Sequence, residues 1–283
     1  MKITIFYFGL LGLLFSFCNC ETTNQEIENE TLPLAYRQLG NISYGDDPRQ
    51  VYDIYLPKDR NLTTKVVILV HGGGWFEGDK VEMNGFKDFI QQNFPRMAVV
   101  NLNYRLVTGN ENPHPMQVHD ITAAVQHLKS KKQEYILGEE LSFIGVSAGG
   151  HLSLLWSYAF DSAHQVNWVC SIVGPTNLLD DNYQTTENQG LMSMIGQFGT
   201  DPDFLKSASP LYQVKSSSPP TALFYGGVDP LIPNSQWQAL AAKLTELEVP
   251  HELKVYENEG HGWILLPLLD TSIRLKAFIE TYN

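Results

Sequence analysis

From Lys65 onward the chain alternates short, almost wholly apolar segments with longer segments of helical periodicity, and this alternation limits the folds open to it. The apolar segments are VVILV, MAVVNLNY, LSFIGVS, VNWVCSIVG, TALFYGG and HELKVYEN, and such runs are typical of strands buried on both faces. Helical spacing is present in MQVHDITAAVQHLKSKK, NSQWQALAAKLTEL and LLDTSIRLKAFIETY. The alternation therefore predicts an α/β fold, a mostly parallel central sheet with helices on both faces.

The remainder of the chain predicts a single domain over residues 32–283. Two segments ahead of the parallel strands, AYRQLGNISYG and RQVYDIYLP, alternate apolar and polar residues and indicate an antiparallel pair. No repeat, charge block or Gly/Ser tract divides the chain after them. Residues 177–216 break the rhythm of strands and helices, and we expect them to form a cap-like insertion or a wall of the active site.

The first twenty residues predict export from a bacterial cell. Lys2 precedes the apolar run ITIFYFGLLGLLFSF, which is short for a membrane span, and the polar sequence CNCETTNQEIENE follows. We read residues 1–20 as a signal peptide and 21–31 as a linker. A cysteine after the apolar run is typical of lipoprotein signals, although the small residue that usually precedes it is absent. The prediction is a periplasmic or outer-membrane-anchored lipoprotein, attached to the membrane only through lipid on Cys18 or Cys20.

Charge and cysteine content exclude several other functions. The chain has a formal net charge of -12, from 19 basic and 31 acidic residues, which disfavours nucleic acid as a partner. Cys170 lies in the apolar run VNWVCSIVG and is expected in the core. His114 and His119 lie near Asp120, but no second cluster of ligands accompanies them, so we expect neither a metal nor a cofactor.

The segment FIGVSAGGHL contains G-x-S-x-G, which suits either a tight turn or a nucleophile elbow. Ser147 ends an apolar strand segment and precedes a helical one, the strand–turn–helix setting that a nucleophile elbow requires. The backbone of such a turn is strained, so its neighbours must lack bulk, and Gly145, Ala148 and Gly149 satisfy that requirement. The placement favours Ser147 as a nucleophile.

A serine nucleophile needs a base and an orienting acid, which in this arrangement should follow in the order acid, histidine, each just beyond a strand. Asp229 follows the strand segment TALFYGG, where it could alternatively cap a helix. His261 lies in a glycine-flanked loop after HELKVYEN. Both positions fit the roles of acid and base. Other acids occupy less suitable positions, namely Asp180, Asp181 and Glu259.

The sequence HGGGW, residues 71–75, directly follows the strand segment VVILV. Its glycines allow backbone N–H groups to turn toward a substrate, so we expect Gly73 and Gly74, with the N–H of Ala148, to form an oxyanion hole. A phosphate-binding loop is the competing interpretation, but neither of the usual phosphate-loop patterns follows a strand here. We expect His71 to order this loop rather than to transfer protons.

Six segments, in order, resemble the α/β-hydrolase superfamily, and specifically its hormone-sensitive-lipase-like and bacterial acetyl-esterase branch. They are VYDIYLP, HGGGWFEGDK, NLNYRL, GVSAGGHL, GGVDPLIP and EGHGW, and they span about residues 50–280. HGGGW…GDK with GVSAGGHL is most similar to exported bacterial esterases that remove acetyl or feruloyl groups from plant polysaccharides. The resemblance implies hydrolysis of a small-molecule or carbohydrate ester through a Ser-His-Asp triad and an acyl-enzyme. No long apolar lid of the lipase type is present, which argues against triglycerides.

The residues that shape the substrate pocket are harder to predict. We expect it to be lined by members of a set of large apolar side chains that could equally well pack in the core: Trp75, Phe76, Met192, Met194 and Trp263. Two other functions stay open. A formamidase or arylformamidase would use the same triad, and a non-catalytic binding module would have lost part of it. A peptidase is disfavoured because Ala148, not an aromatic residue, follows the serine.

Overall fold

The computed structural model describes residues 34–109 and 113–283. The predicted signal peptide, the linker and both N-terminal cysteines lie outside these residues. Residues from 34 onward belong to one compact unit. Within the part of the chain that the structure describes, no helix has both the length and the apolar character needed to cross a bilayer.

The described residues form a mixed sheet of eight strands in the order β1-β2-β4-β3-β5-β6-β7-β8. The strands β1 and β2 pair antiparallel, β2 pairs antiparallel with β4, and every later pairing is parallel. This arrangement confirms the predicted fold class. The strands are β1 Arg37–Ser43, β2 Val51–Leu56, β3 Val66–Val70, β4 Ala98–Leu102, β5 Leu141–Val146, β6 Val166–Ile172, β7 Thr221–Gly226 and β8 His251–Tyr256.

Burial of the central strands follows the sequence pattern from which they were predicted, and burial of the last strand does not. Every residue of β3, β4 and β7 is buried, as expected for apolar runs covered on both faces. The strand β8, which was predicted to be buried on both faces, is mostly half-buried because it lies at the edge of the sheet. Cys170 lies in the middle of β6 with no exposed surface, and burial raises the pKa of its thiol, so it is a core residue as expected.

The helices cover the sheet and supply the connections between its parallel strands. A 3-10 turn at Lys80–Met83 precedes α1, and a π-helical turn at Trp156–Phe160 extends α4. The α-helices of the described residues are α1 Asn84–Asn93, α2 Pro113–Ser130, α3 Lys132–Tyr135, α4 Ala148–Leu155, α5 Asp181–Gln184, α6 Gln189–Gly196, α7 Pro202–Ser207, α8 Pro210–Gln213, α9 Asn234–Glu246 and α10 Leu265–Tyr282.

Residues 177–216, where the sequence pattern breaks, contain the short helices α5 to α8. Three of them begin at a residue whose side chain accepts a backbone N–H of the first turn, namely Asp180, Asn188 and Asp201. Such caps satisfy the free N–H groups at a helix start. Short, individually capped helices explain why this segment lacks the longer periodicity of the rest of the chain.

Parallel strands bring their carboxyl ends to one edge of a sheet, and the connections that leave this edge meet there. The segments that follow β3, β5, β7 and β8 begin at residues 71, 147, 227 and 257. These segments contain the HGGG sequence, Ser147, Asp229 and His261.

Candidate active site

Ser147 lies in a sharp turn between β5 and α4. Its backbone has φ +53° and ψ -122°, a region that a residue with a side chain occupies at a cost of about 1–3 kcal/mol. The turn is held by its N–H, which donates to the Ile172 carbonyl at 2.8 Å, and by its carbonyl, which accepts from His151 N–H at 3.0 Å. A side chain at Gly149 would collide with the carbonyl oxygen of Val70. Gly149, two residues after Ser147, is therefore required by close packing against the end of β3.

Ser147, His261 and Asp229 form a continuous hydrogen-bonded chain. His261 Nε2 lies 2.9 Å from Ser147 Oγ, and His261 Nδ1 lies 2.8 Å from Asp229 Oδ2. A carboxylate only accepts, so Nδ1 carries the proton and Nε2 accepts the Ser147 hydroxyl. The Asp229 side chain is fully buried, and its second oxygen accepts the N–H groups of Leu231 and Ile232 at 2.8 and 3.1 Å. The imidazole is thus oriented by a carboxylate that is itself held in place.

The contacts of Asp229 combine the two roles that its sequence position suggested. One oxygen closes a turn with backbone N–H groups, as a cap would, and the other orients His261. The rival acid Asp180 is engaged elsewhere: it caps α5 and accepts hydrogen bonds from Ser235 and Gln236. Of the acids considered from the sequence, the structure thus brings Asp229 to the histidine.

The N–H groups of Gly73, Gly74 and Ala148 lie at the same edge. Gly73 has φ +102° and Gly74 φ +54°, and the Gly73 carbonyl accepts from the N–H groups of Phe76 and Glu77, so the loop doubles back. Ala148 is the first residue of α4, where the positive end of the helix dipole lies. Within the described residues, no oxygen accepts a hydrogen bond from these three N–H groups. They remain available to a negatively charged oxygen next to Ser147.

His71 is held in the neutral form by its surroundings. Its Nδ1 lies 2.7 Å from the Gly72 carbonyl, and its Nε2 lies 3.3 Å from Arg49 Nη2. Arginine can only donate, so Nε2 accepts and Nδ1 carries the proton. Burial lowers the pKa of His71 to about 4, and the ring stacks on Tyr104 at 4.3 Å between centroids. These contacts agree with the expectation that His71 orders the loop.

Arg49 joins the HGGG loop to the strands beneath it, and the sequence did not point to it. Its guanidinium donates to the Gly78 carbonyl at 2.8 Å and pairs with Asp79 at 3.3 Å. Asn103 donates to the same carboxylate at 2.8 Å. Burial alone would raise the pKa of Asp79, but hydrogen bonds from Val81 N–H and Asn103, with the Arg49 charge, lower it. A partly buried polar network therefore anchors the loop.

His151 was also missed, because nothing in its sequence setting distinguishes it. It lies on α4, fully buried, and its Nε2–H donates to the Ala208 carbonyl at 2.7 Å. Its Nδ1 accepts the indole N–H of Trp75 at 3.2 Å. Burial lowers the pKa of His151 to about 4, which keeps the ring neutral. A single side chain therefore ties together the HGGG loop, the helix after Ser147 and residues 177–216.

A cavity of about 560 Å³ opens beside Ser147 and His261. The three glycines after His71 form part of its wall, and two carboxylates line it, Glu77 and Glu82. The rest of the wall is mainly apolar and includes Phe76, Met83, Phe86, Met194 and Leu231.

Three of the predicted pocket residues are corrected by the structure. Trp75 is fully buried, because its indole packs edge-on against Phe198 and donates to His151. Met192 is 53% exposed and lies outside the cavity, while Met194, two residues further along α6, lines it. Trp263 donates its indole N–H to Thr271 at 2.8 Å and packs on Tyr256, away from the cavity. Phe76 lines the cavity as predicted.

The histidines near Asp120 form no metal centre in the structure. Both oxygens of Asp120 accept from Arg105, and Gln50 donates to it at 2.8 Å. Across residues 34–109 and 113–283, no three side chains of His, Cys, Asp or Glu are grouped so that they could hold a metal ion.

Comparison with known proteins gives a consistent set of relatives. A family model described as BD-FAE matches residues 52–244, a range that includes Ser147 and Asp229. Esterase LipC of Mycobacterium tuberculosis is 27% identical over 82% of this chain and 61% of its own length. Esterase LipQ of the same organism is 27% identical over 74% of this chain and 53% of its own. The chain therefore spans between half and two thirds of the length of these relatives.

Solved structures show the same fold at low sequence identity. A truncated carbohydrate esterase from gut microbiota superposes with a TM-score of 0.70 at 20% identity, covering 86% of this chain and 96% of that chain. An acetyl ester-xyloside bifunctional hydrolase from Caldicellulosiruptor lactoaceticus superposes with a TM-score of 0.67 at 20% identity, covering 82% and 88%. The expected resemblance to α/β-hydrolase esterases is confirmed.

Proposed function

The chain belongs to the BD-FAE family, and on that premise we propose that it is a serine carboxylic-ester hydrolase that removes short acyl or feruloyl groups from carbohydrate. The observation that carries the proposal is the hydrogen-bonded chain from Ser147 through His261 to Asp229, placed at the wall of a cavity. The contacts of each residue support one role for it in acyl transfer.

In the first step Ser147 Oγ attacks the ester carbonyl carbon. His261 Nε2 already accepts a hydrogen bond from the hydroxyl and removes its proton as the new bond forms. The resulting imidazolium is stabilised by the buried carboxylate of Asp229, which keeps its own negative charge. The strained turn at Ser147 holds the hydroxyl toward the cavity, so little reorganisation precedes the attack.

The tetrahedral intermediate places a negative charge on the former carbonyl oxygen. The N–H groups of Gly73, Gly74 and Ala148, which have no acceptor among the described residues, bind this oxyanion, each contributing about 3 kcal/mol. His261 then gives its proton to the leaving alcohol, and the C–O bond breaks to leave an ester on Ser147. Water attacks this acyl-enzyme with His261 again as base, and the acid is released.

The cavity wall supports a hydroxyl-rich alcohol as the other half of the substrate. A volume of about 560 Å³ exceeds what an acetyl group alone requires. Glu77 and Glu82 can accept hydrogen bonds from sugar hydroxyls and repel anionic esters, while Phe76 and Phe86 offer flat apolar surface to a sugar or aromatic ring. The names of relatives support the same class: LipC is an esterase, and two similar structures are carbohydrate-ester hydrolases.

A panel of esters tests the proposal. We expect hydrolysis of 4-nitrophenyl acetate to be fast and to decline through the butyrate to the octanoate, with acetylated xylan and methyl ferulate tested alongside. Ser147→Ala is the inactive reference, because it lacks the proposed nucleophile. Ser162→Ala replaces a serine that does not line the cavity, and this matched control should keep full activity. Unfolding temperatures of both variants should equal that of the wild type.

Each alternative function has its own outcome in this panel. Folded protein that hydrolyses formamides but not esters would indicate a formamidase. Folded protein that hydrolyses neither, yet binds acetylated xylan, would indicate a binding module. Activity retained in Ser147→Ala would contradict the assignment of the nucleophile.

We also propose that the protein is exported and lipidated, on the basis of its N-terminal sequence. Labelling of expressing bacteria with radioactive palmitate should mark the wild-type chain. Loss of the label in only one of Cys18→Ser and Cys20→Ser would identify the acylated residue. A wild-type chain that is secreted without label would contradict lipidation but not export.

A further inference from the structure

The first half of α10, together with the residue before it, carries six large aliphatic side chains that are exposed to solvent. Ile264, Leu265 and Leu266 are 71%, 79% and 77% exposed, and three more follow within seven residues: Leu268 at 44%, Leu269 at 56% and Ile273 at 58%. We call these six residues the aliphatic patch. The other face of α10 is anchored in the protein by Thr271, Leu275, Phe278 and Ile279, all buried.

The patch is larger than isolated surface leucines would explain. With roughly 200 Å² for a fully exposed leucine or isoleucine, its exposed fractions amount to about 770 Å², whereas the largest apolar patch on a typical monomer is about 300–600 Å². Exposed apolar surface of this size marks an interaction site. The patch lies outside the cavity, so the ester substrate does not account for it.

We propose that the aliphatic patch is covered by the same patch of a second copy of this chain, in a two-fold symmetric dimer. A stable interface buries about 800 Å² on each partner, close to what the patch with its rim provides. A two-fold axis near Leu269 would bring each patch against itself, because such interfaces join identical surfaces. The apolar stripe Leu266, Leu269 and Ile273 follows one face of α10 at helical spacing and would form its centre.

Charges around the patch permit this self-association although the whole chain carries a net charge of -12. Two copies would repel each other through an acidic face. On α10, Arg274 pairs with Asp270 at 2.8 Å and with Glu252 at 2.9 Å, and Lys276 pairs with Glu280 at 2.8 Å. These two basic and three acidic side chains are therefore nearly balanced in charge, as a self-complementary interface requires.

The composition of the patch favours a protein partner over a lipid surface. Helices that lie in a membrane interface combine aromatic residues with unpaired basic side chains. The patch contains no aromatic residue, and the neighbouring Trp263 turns its indole inward to Thr271 and Tyr256. The basic residues Arg274 and Lys276 are already paired with carboxylates.

Sedimentation velocity of the exported, processed protein over a wide concentration range tests the proposal. We expect the wild type to dimerise and Leu266→Glu/Leu269→Glu to be monomeric, with dimer affinity lowered about a hundredfold or more, because apolar residues at an interface centre dominate binding. Leu62→Glu changes an exposed leucine far along the chain from the patch and should leave the dimer intact. All three positions are exposed, so unfolding temperatures should not change.

A second experiment examines the symmetry of the contact. Leu269→Glu and Leu269→Lys proteins should each be monomeric alone, whereas their mixture should form a heterodimer, because position 269 of one copy would face position 269 of the other. A mixture that stays monomeric would contradict the two-fold arrangement.

Three outcomes would overturn the proposal. The first is a wild-type protein that stays monomeric at every concentration, and the second is a dimer that persists in Leu266→Glu/Leu269→Glu. The third is a monomeric protein that, with Cys18 and Cys20 both replaced by serine to remove the proposed lipid, floats with phosphatidylcholine vesicles, while Leu266→Glu/Leu269→Glu in the same background does not, which would identify lipid as the occupant. None of these readouts depends on ester hydrolysis, so they are independent of the proposed function.

Discussion

Two loops at the carboxyl edge of the sheet each carry a histidine, and their surroundings differ. His71 follows β3, is fully buried, and has both ring nitrogens bound by permanent partners, the Gly72 carbonyl and Arg49. His261 follows β8, is 23% exposed, and faces Asp229 on one side and the Ser147 hydroxyl on the other. The same side chain at equivalent places in the topology therefore has different chemistry.

The difference lies in the burial of each ring and in the charged group next to it. Burial, assisted by the guanidinium of Arg49 beside the ring, disfavours a second proton on His71 and lowers its pKa to about 4. A carboxylate instead lies beside His261, where it would stabilise the imidazolium of the proposed acyl transfer. A histidine at a strand end is suited to be a base only where its partner is an anion and its other nitrogen faces a reacting group.

The largest expected effect separates the two histidines directly. His261→Gln should lower kcat for 4-nitrophenyl acetate by about 10⁴–10⁶-fold, because the base is lost. His71→Gln should lower kcat by no more than about tenfold but reduce the free energy of unfolding by about 1–3 kcal/mol, because buried partners of the ring lose a hydrogen bond. Steady-state kinetics and urea unfolding of both variants measure this. Equal losses of activity would contradict the comparison.

The carboxylates of the two loops should differ in the same way. Asp229→Asn should lower kcat by about 10⁴-fold, because an amide can donate to Nδ1 and stabilise the wrong tautomer of His261. Asp79→Asn, in the network around His71, should retain most of the activity. The same kinetic assay compares them. If Asp229→Asn kept wild-type turnover, another acid would orient His261.

Two glycines with positive φ sharpen the comparison further. A side chain at Gly73 would collide with the Glu77 carbonyl and displace the loop, so Gly73→Ala should lower kcat by about 10²–10³-fold through loss of oxyanion contacts. Gly262 has φ +135° but open space around it, so Gly262→Ala should cost backbone strain and much less activity. Steady-state kinetics on 4-nitrophenyl acetate would measure kcat for both variants. A larger loss of kcat in Gly262→Ala than in Gly73→Ala would place the oxyanion hole elsewhere.

The smallest expected effect concerns stability at low pH. The pKa of His71 is about 4 in the folded protein and about 6.5 when unfolded, so the unfolded state binds more protons between these values. This contribution to stability is fully present above pH 6.5 and is lost as pH falls toward 4, by up to about 3 kcal/mol. Urea unfolding from pH 4 to 7 should show a shallower pH dependence for His71→Gln than for the wild type. Identical slopes would contradict a neutral, buried His71.

The sheet and the hydrogen-bonded chain of Ser147, His261 and Asp229 were predicted from the sequence alone. The positions of the central strands in the sequence could be predicted because apolar runs indicate strands buried on both faces, as in β3 and β4. Parallel topology then places the residue after each strand at one edge. Ser147, Asp229 and His261 could be located because each comes soon after a predicted parallel strand, and Asp229 was preferred to Asp180 on this basis alone.

The tertiary structure decided what surrounds those three residues. Trp75 is buried in the core, and Met194 rather than Met192 lines the cavity. Both outcomes depend on how the short helices of residues 177–216 pack, and the sequence periodicity does not specify their orientations. Arg49 reaches His71, and His151 reaches Ala208, across 22 and 57 positions of the chain. Strand ends are determined locally by apolar pattern, whereas cavity walls and buried polar networks depend on side chains from distant segments, whose contacts exist only once the sheet has brought them together.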